Sequence, residues 1–295
     1  MPLDSAGRSD YLAPVTQESF AGRWQDLREK RGPFCLNLDP TPELLSGWGM
    51  DDGVGGLAAF CQRVLEAAGD RLSVIKPQSA YFERFGAPGV QVLSDILAAI
   101  RSSGTLALLD AKRGDIGSTN RGYAEGLLGP RSALGADALT VHAYLGFAAL
   151  RPLLEQAEQH GCGVFPVVLS SNPEGRALQS ARMDDGLSVA ESLAESITAY
   201  NAEHTGADVG PIGAVVGVSA ENAEDIVVRL PRSLILAPGL GAQGGTVADV
   251  IARFEPARAR VLPCAGRSVL ASGPDLGALR SAICQQAEAL HDALG

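Results

Sequence analysis

Leu108-Leu109-Asp110-Ala111-Lys112-Arg113-Gly114-Asp115-Ile116-Gly117-Ser118-Thr119-Asn120 joins the end of an apolar run to a dense cluster of charge. The run, Thr105 to Leu109, follows Gly104 and is short and almost wholly apolar, the pattern of a strand buried on both faces. If the chain stays extended, period two puts the side chains of Asp110 and Lys112 on one face. Gly114 and Gly117 allow a tight turn, and Ser118, Thr119 or Asn120 is placed to cap a following helix. Asp110, Lys112 and Asp115 are three charges of alternating sign held on a strand end and its loop. A surface ion-pair network is the commoner fate of such charges. Their place at a strand end, rather than on a helix face, weighs against it.

Outward from this strand, similar apolar runs recur: Pro33–Leu38, Leu72–Ile75, Ala138–Val141, Gly163–Leu169, Ile212–Val216, Ser233–Ala237 and Arg260–Cys264. Pro166 inside the fifth run argues against a regular central strand there. Between the runs lie stretches with apolar residues at helical spacing, among them Leu57–Ala68, Val90–Ile100, Phe147–His160, Val189–Glu203 and Leu276–Leu294. Eight alternations are the count of a (β/α)8 TIM barrel. Alternation alone also fits an open doubly wound sheet, but no G-x-G-x-x-G follows the first run. The expected organisation is α/β, a single barrel domain over residues 1–295, with a short N-terminal arm to about residue 15.

The 295 residues suffice for a large core, with 46% apolar and 20% charged residues. A net charge of −10 argues against nucleic acid or an anionic membrane as partner, and leaves room for an anionic small molecule. Cys35, Cys61, Cys162, Cys264 and Cys284 are odd in number and form no C-x-x-C pair, which points to a reducing cytoplasm and no structural zinc. The N-terminal residues carry Asp4 and Asp10 and no apolar core, unlike a signal peptide, and no run reaches membrane-spanning length.

Polar residues collect at the C-terminal ends of the runs: Asp39, Lys76, Asp110, Lys112, Ser171, Gln243 and Arg267. In a barrel these ends share one face, where active sites are built. Gly239-Leu-Gly-Ala-Gln-Gly-Gly245 offers backbone N–H groups ahead of a helix, and Gly266-Arg267-Ser268 adds a forked cation. Together they suggest a phosphate site, although such glycine loops also serve as plain turns. Asp39 before Pro40 is either a turn residue or a ligand contact. A lysine ending an apolar run, as Lys76 does, needs a partner if buried. His142 ends the fourth run and is placed to line the site; His160, His204 and His291 are expected in solvent.

Asp110-x-Lys112-x-x-Asp115-Ile116-x-x-Thr119 resembles the signature of the orotidine 5′-phosphate decarboxylase family. Lys76-Pro77-Gln78-Ser79-Ala80-Tyr81-Phe82-Glu83, Ser171-Asn172-Pro173 and Pro238-Gly-Leu-Gly-Ala-Gln-Gly-Gly245 resemble its longer bacterial branch. The likeness runs from about Asp39 to Arg267, with departures at His142-Ala143 and Ala265-Gly266. It implies a cofactor-free, metal-free decarboxylation of orotidine 5′-monophosphate to uridine 5′-monophosphate in pyrimidine biosynthesis, by a homodimer. It also implies roles. Lys76, Asp110 and Lys112 form a charged chain, completed by Asp115 of the partner subunit, with Ile116 and Thr119 also crossing over. Asp39 binds ribose hydroxyls, Ser171 the pyrimidine, Gln243 both base and phosphate, and Gly266 with Arg267 the phosphate. Two other readings remain open. One is a metal-dependent barrel acting on a sugar phosphate; the other is a catalytically silent nucleotide-binding barrel.

Overall fold

The computed structural model describes residues 18–203 and 209–295. The expected N-terminal arm and His204 lie outside them. Eight parallel strands close into a barrel in sequence order: β1 Cys35–Leu38, β2 Val74–Pro77, β3 Leu106–Arg113, β4 Ala138–Val141, β5 Gly163–Leu169, β6 Ala214–Val216, β7 Ile235–Pro238 and β8 Val261–Ala265. Closure is made by Cys35 against Cys264 and Leu36 against Ala265, which pair β1 with β8. The open doubly wound alternative is thereby excluded.

Thirteen α-helices surround the strands among the described residues: α1 Phe20–Arg31, α2 Pro42–Gly47, α3 Val54–Ala68, α4 Ala80–Glu83, α5 Gly86–Ser102, α6 Gly117–Leu127, α7 Arg151–Gln159, α8 Pro173–Gln179, α9 Val189–Glu203, α10 Ala223–Val227, α11 Val247–Arg253, α12 Arg267–Leu270 and α13 Leu276–Leu294. Some of their starts follow side-chain chemistry. Thr41 caps α2 ahead of Pro42, Thr246 and Asp249 cap α11 reciprocally, and Asp275 caps α13. The single helix expected over Phe147–His160 is a 3-10 turn, Phe147–Leu150, running into α7. Pro166 stands inside a seven-residue β5, opposite Val141 of β4, and the pairing with β6 shifts register just beyond it.

Two apolar clusters divide the core. The larger lies where the helices pack on the outer faces of the strands. The smaller joins Cys35, Val74, Leu106, Leu108, Phe165, Val215, Leu236, Leu262 and Cys264 to Phe20, Ala21 and Trp24 of α1. The α1 helix thus plugs the N-terminal mouth with Phe20, Ala21 and Trp24, Phe20 lying edge-on to Phe165 at 5.7 Å between ring centroids. Going up the inward face by twos, apolar side chains give way to polar ones. Cys35 is followed by Asn37 and Asp39, Val74 by Lys76, and Leu108 by Asp110. The plugged end holds the barrel together, and polar side chains gather at the opposite end.

Candidate active site

Asp110 is the hub. Its Oδ2 accepts from Lys76 Nζ at 2.5 Å, and its Oδ1 accepts from Lys112 Nζ at 2.5 Å and from the Thr140 hydroxyl at 2.8 Å. Lys76 and Asp110 are buried, whereas the Lys112 side chain keeps 39% of its surface. Burial alone would raise the Asp110 pKa, but Lys76 and Lys112 hold it well below the usual carboxylate range. Burial alone would lower the Lys76 pKa, but Asp110 and Asp39 hold it well above the usual value. Both groups are therefore charged at neutral pH.

The extended geometry expected from Asp110 to Lys112 is not what brings them together. Lys112 has φ +45°, a left-handed conformation uncommon outside glycine. Over this stretch β3 runs from Leu109 to Arg113 while β4 runs only from Leu139 to Val141, so the ladder bulges. The turned backbone carries the lysine stem back over Asp110. Freed from the ladder, the Lys112 N–H donates to Thr140 Oγ1 at 3.1 Å. Strand pairing resumes with the His142 N–H on the Arg113 carbonyl at 2.8 Å.

Asp115 does not join this network within the chain. Its Oδ1 accepts the Ile116 N–H at 2.7 Å, and its own N–H donates to Asn120 Oδ1 at 2.9 Å. Asn120, fully buried, donates back to the Asp115 carbonyl and to the Ala149 carbonyl. This loop lock replaces the expected side-chain cap: Ile116 occupies the cap position of α6, and no Ser, Thr or Asn hydroxyl or amide caps it. Ile116 is 60% exposed, Thr119 is exposed, and both face away from the chain's own barrel core.

The remaining candidates ring the mouth. Asp39 has one carboxylate oxygen buried without a hydrogen-bond partner. Burial raises its pKa, against the pull of Lys76, Lys112 and Arg267, so its charge lies within reach of theirs. Asn37, a residue not singled out from the sequence, pairs with Lys76 in register and likewise buries an unpartnered Oδ1. Its position two before Asp39 on the inward face was the available signal. Gly266 must be glycine, because a Cβ there would lie 2.7 Å from Asn37 Cβ. Arg267, the first residue of α12, is exposed and has no ion-pair partner among the described residues. His142 is exposed beside the lysine; burial and then Lys112 push its pKa down. Ser171 sits on another wall, in a cavity of about 400 Å³ shared with Arg176, Glu191 and Asn222.

The glycine loop before α11 is less open than its sequence suggests. Gly241, Gly244 and Gly245 donate their N–H groups to carbonyls of the loop itself, at 2.8, 2.8 and 3.0 Å. Asp249 already caps α11 through Thr246, placing a carboxylate where an anion would otherwise bind. Gln243 is exposed at the loop's tip, with its side-chain oxygen turned back towards Gly239. Arg267 is thus the principal cation at this edge of the mouth.

A model of the orotidine 5′-phosphate decarboxylase / HUMPS family matches residues 32–282. The chain belongs to that family. It is 49% identical over 271 residues to the orotidine 5′-phosphate decarboxylase of Myxococcus xanthus, covering 91% of this chain and 94% of that protein. It is 48% identical over 267 residues to the enzyme of the same name from Salinispora arenicola, covering 90% and 94%. In three dimensions it is similar to a crystal structure described as an orotidine 5′-phosphate decarboxylase of Streptomyces avermitilis, with TM-score 0.89, 43% identity and coverage of 96% and 99%. The family's (β/α)8 barrel therefore agrees with the fold seen here.

Proposed function

We propose that this member of the decarboxylase family converts orotidine 5′-monophosphate to uridine 5′-monophosphate and CO2 for pyrimidine synthesis, with Lys112 as the catalytic acid and no cofactor. The observation that carries the assignment to Lys112 is its double character. The ammonium is fixed on Asp110, yet its side chain remains open to the barrel mouth. Breaking the carbon–carboxylate bond leaves its electron pair on the pyrimidine ring. An ammonium fixed beside that carbon stabilises the growing charge and then donates its proton to the same carbon. Solvent returns the proton to Lys112. Lys76 keeps Asp110 ionised and immobile, so that the hub does not take the proton instead.

Asp39 and Asn37 offer buried acceptors suited to ribose hydroxyls. Arg267 suits the phosphate, with Gly266 admitting the close backbone and Gln243 reaching from the facing loop. Ser171 is assigned to the pyrimidine. Binding energy from the phosphate end would serve to hold the ring against Lys112.

The working unit is proposed to be a homodimer. Asp115, Ile116 and Thr119 lie outside the chain's own charged network, and Tyr144 and Leu145 on the next loop are 79% and 56% exposed. Ile116, Tyr144 and Leu145 are the apolar groups such an interface would cover. Asp115 of the partner would then stand near Lys112. A cytoplasmic setting accords with five free cysteines, four of them buried.

The test is the ultraviolet absorbance of orotidine 5′-monophosphate with purified protein and EDTA. Loss of orotidylate absorbance is expected; no change with folded protein would remove the reading. Mixing inactive Lys112→Ala and Asp115→Ala subunits is expected to restore up to about a quarter of wild-type turnover, because about half the dimers are hybrids with one intact site each. No recovery despite subunit exchange would place Asp115 outside the partner's site.

A further inference from the structure

A buried threonine spans the bulge that shapes the Lys112 site. Thr140 is 1% exposed and lies in β4, where a valine of nearly the same shape would fill the space. Its hydroxyl has one proton, which goes to Asp110 Oδ1 at 2.8 Å. Its lone pairs then face the Lys112 N–H, which donates to it at 3.1 Å. That N–H belongs to the residue with φ +45°, in the stretch where β3 and β4 lose register. A left-handed lysine costs backbone energy and persists only when its surroundings hold it. Thr140 supplies such a hold, from the same atom that orients the carboxylate gripping the Lys112 ammonium.

We propose that Thr140 is a positioning residue for the decarboxylation, fixing both ends of Lys112 at once. It holds the lysine's backbone in the left-handed turn through the N–H. It also holds the receiving oxygen of Asp110 through the hydroxyl proton. Without the hydroxyl, the turn loses its buried acceptor and Asp110 Oδ1 keeps only the lysine. The ammonium then samples positions away from the reacting carbon. Thr140, only 1% exposed, acts through Lys112 and Asp110 rather than on the substrate. Its removal therefore lowers the rate of the chemical step more than it weakens substrate binding.

The inference rests on the reading of Lys112 given above, and the test separates the two. Wild-type turnover of orotidylate examines that reading. Thr140→Val and Thr140→Ser, measured beside wild type, examine the strut, with Thr105→Val as a control. Thr105 is a buried threonine ahead of β3 whose hydroxyl bonds the Leu72 carbonyl at 3.2 Å. Thr140→Val is expected to lower kcat at least ~30-fold with KM within ~3-fold, while Thr140→Ser stays within ~3-fold of wild type in both. Thr105→Val is expected to leave kcat unchanged. A Thr140→Val kcat within ~3-fold of wild type, a loss shared equally by Thr140→Ser, or an effect on KM alone would overturn the proposal. So would failure of Thr140→Val and Thr140→Ala to fold while Thr140→Ser folds, since the hydroxyl would then serve stability. Should wild type leave orotidylate untouched, amide exchange at Lys112 still decides. It is expected to quicken at least ~10-fold in Thr140→Val, and an unchanged rate would overturn the strut.

Discussion

Two carboxylates bonded around β4, Asp137 just before it and Asp110 across from it on β3, meet opposite fates. Asp137 lies just before β4 at the plugged end, and Asp110 is bonded from Thr140, three residues further on, at the open end. Asp137 accepts from Arg23 Nη1 at 2.6 Å and from the Ala107 N–H at 2.9 Å, and Arg23 also donates to the Gly161 carbonyl at 3.1 Å. Each partner is tied to backbone, so the pair fastens α1 to the barrel. Asp110 accepts from two lysines and a hydroxyl, and one of those lysines keeps an open flank. The same chemistry, a carboxylate with charge-assisted bonds, is a clamp where every donor is anchored and the proposed reactive centre where one donor keeps an exposed flank. The backbone reflects the difference. Between β3 and β4, pairing is regular at the start of β4, and the bulge comes at Lys112, itself left-handed.

Breaking the hub should have the larger effect. Asp110→Asn is expected to abolish turnover and to cost about 3 kcal/mol of stability at pH 7, because Lys76 stays buried after losing its main counter-charge. The pH dependence has a definite sign. With its folded pKa depressed, Asp110 contributes fully above its unfolded pKa of about 3.9, and the contribution is lost as pH falls towards the folded value. The stability gap between wild type and Asp110→Asn should therefore narrow below about pH 4. Denaturant titrations at several pH values would measure it, and a gap constant down to pH 2 would contradict the ion-pair account.

The phosphate edge should respond at an intermediate level. Arg267→Ala is expected to lower kcat/KM by about 30-fold, ~2 kcal/mol, without loss of stability, since the guanidinium has no ion pair among the described residues to lose. An unchanged kcat/KM would remove Arg267 from the phosphate site. The clamp should respond in stability alone. Arg23→Met is expected to cost about 1–3 kcal/mol, leaving Asp137 short of one donor, with kcat of the folded enzyme unchanged. A fall in kcat at constant stability would erase the distinction between the two carboxylates.

Much of this contrast was legible in the sequence. Apolar runs of strand length locate the barrel, and several of them end in polar residues, among them Lys76 and Asp110, that gather at one end of it. The convergence of Asp110 and Lys112 was foreseen for the wrong geometric reason. Period-two reasoning assumes an extended backbone, and the bulge at Lys112 depends on pairing with β4, which no local pattern reports. Thr140 escaped notice for the same cause: in an apolar strand a threonine reads as a β-branched filler. The glycine loop's sequence fits both a phosphate cradle and a plain turn, and the loop bonds to itself through Gly241, Gly244 and Gly245. Asp115 illustrates a further boundary. Were a second subunit to complete the site as proposed, Asp115 would look idle within one chain.

The most direct measurement is turnover of orotidine 5′-monophosphate by wild type and Lys112→Ala, with uridine 5′-monophosphate binding followed by calorimetry on both. Wild type should consume orotidylate, while Lys112→Ala should be folded, bind nucleotide and turn over at least ~1000-fold more slowly. Turnover by Lys112→Ala within ~10-fold of wild type would contradict the claim that the lysine fixed on Asp110 carries the reaction.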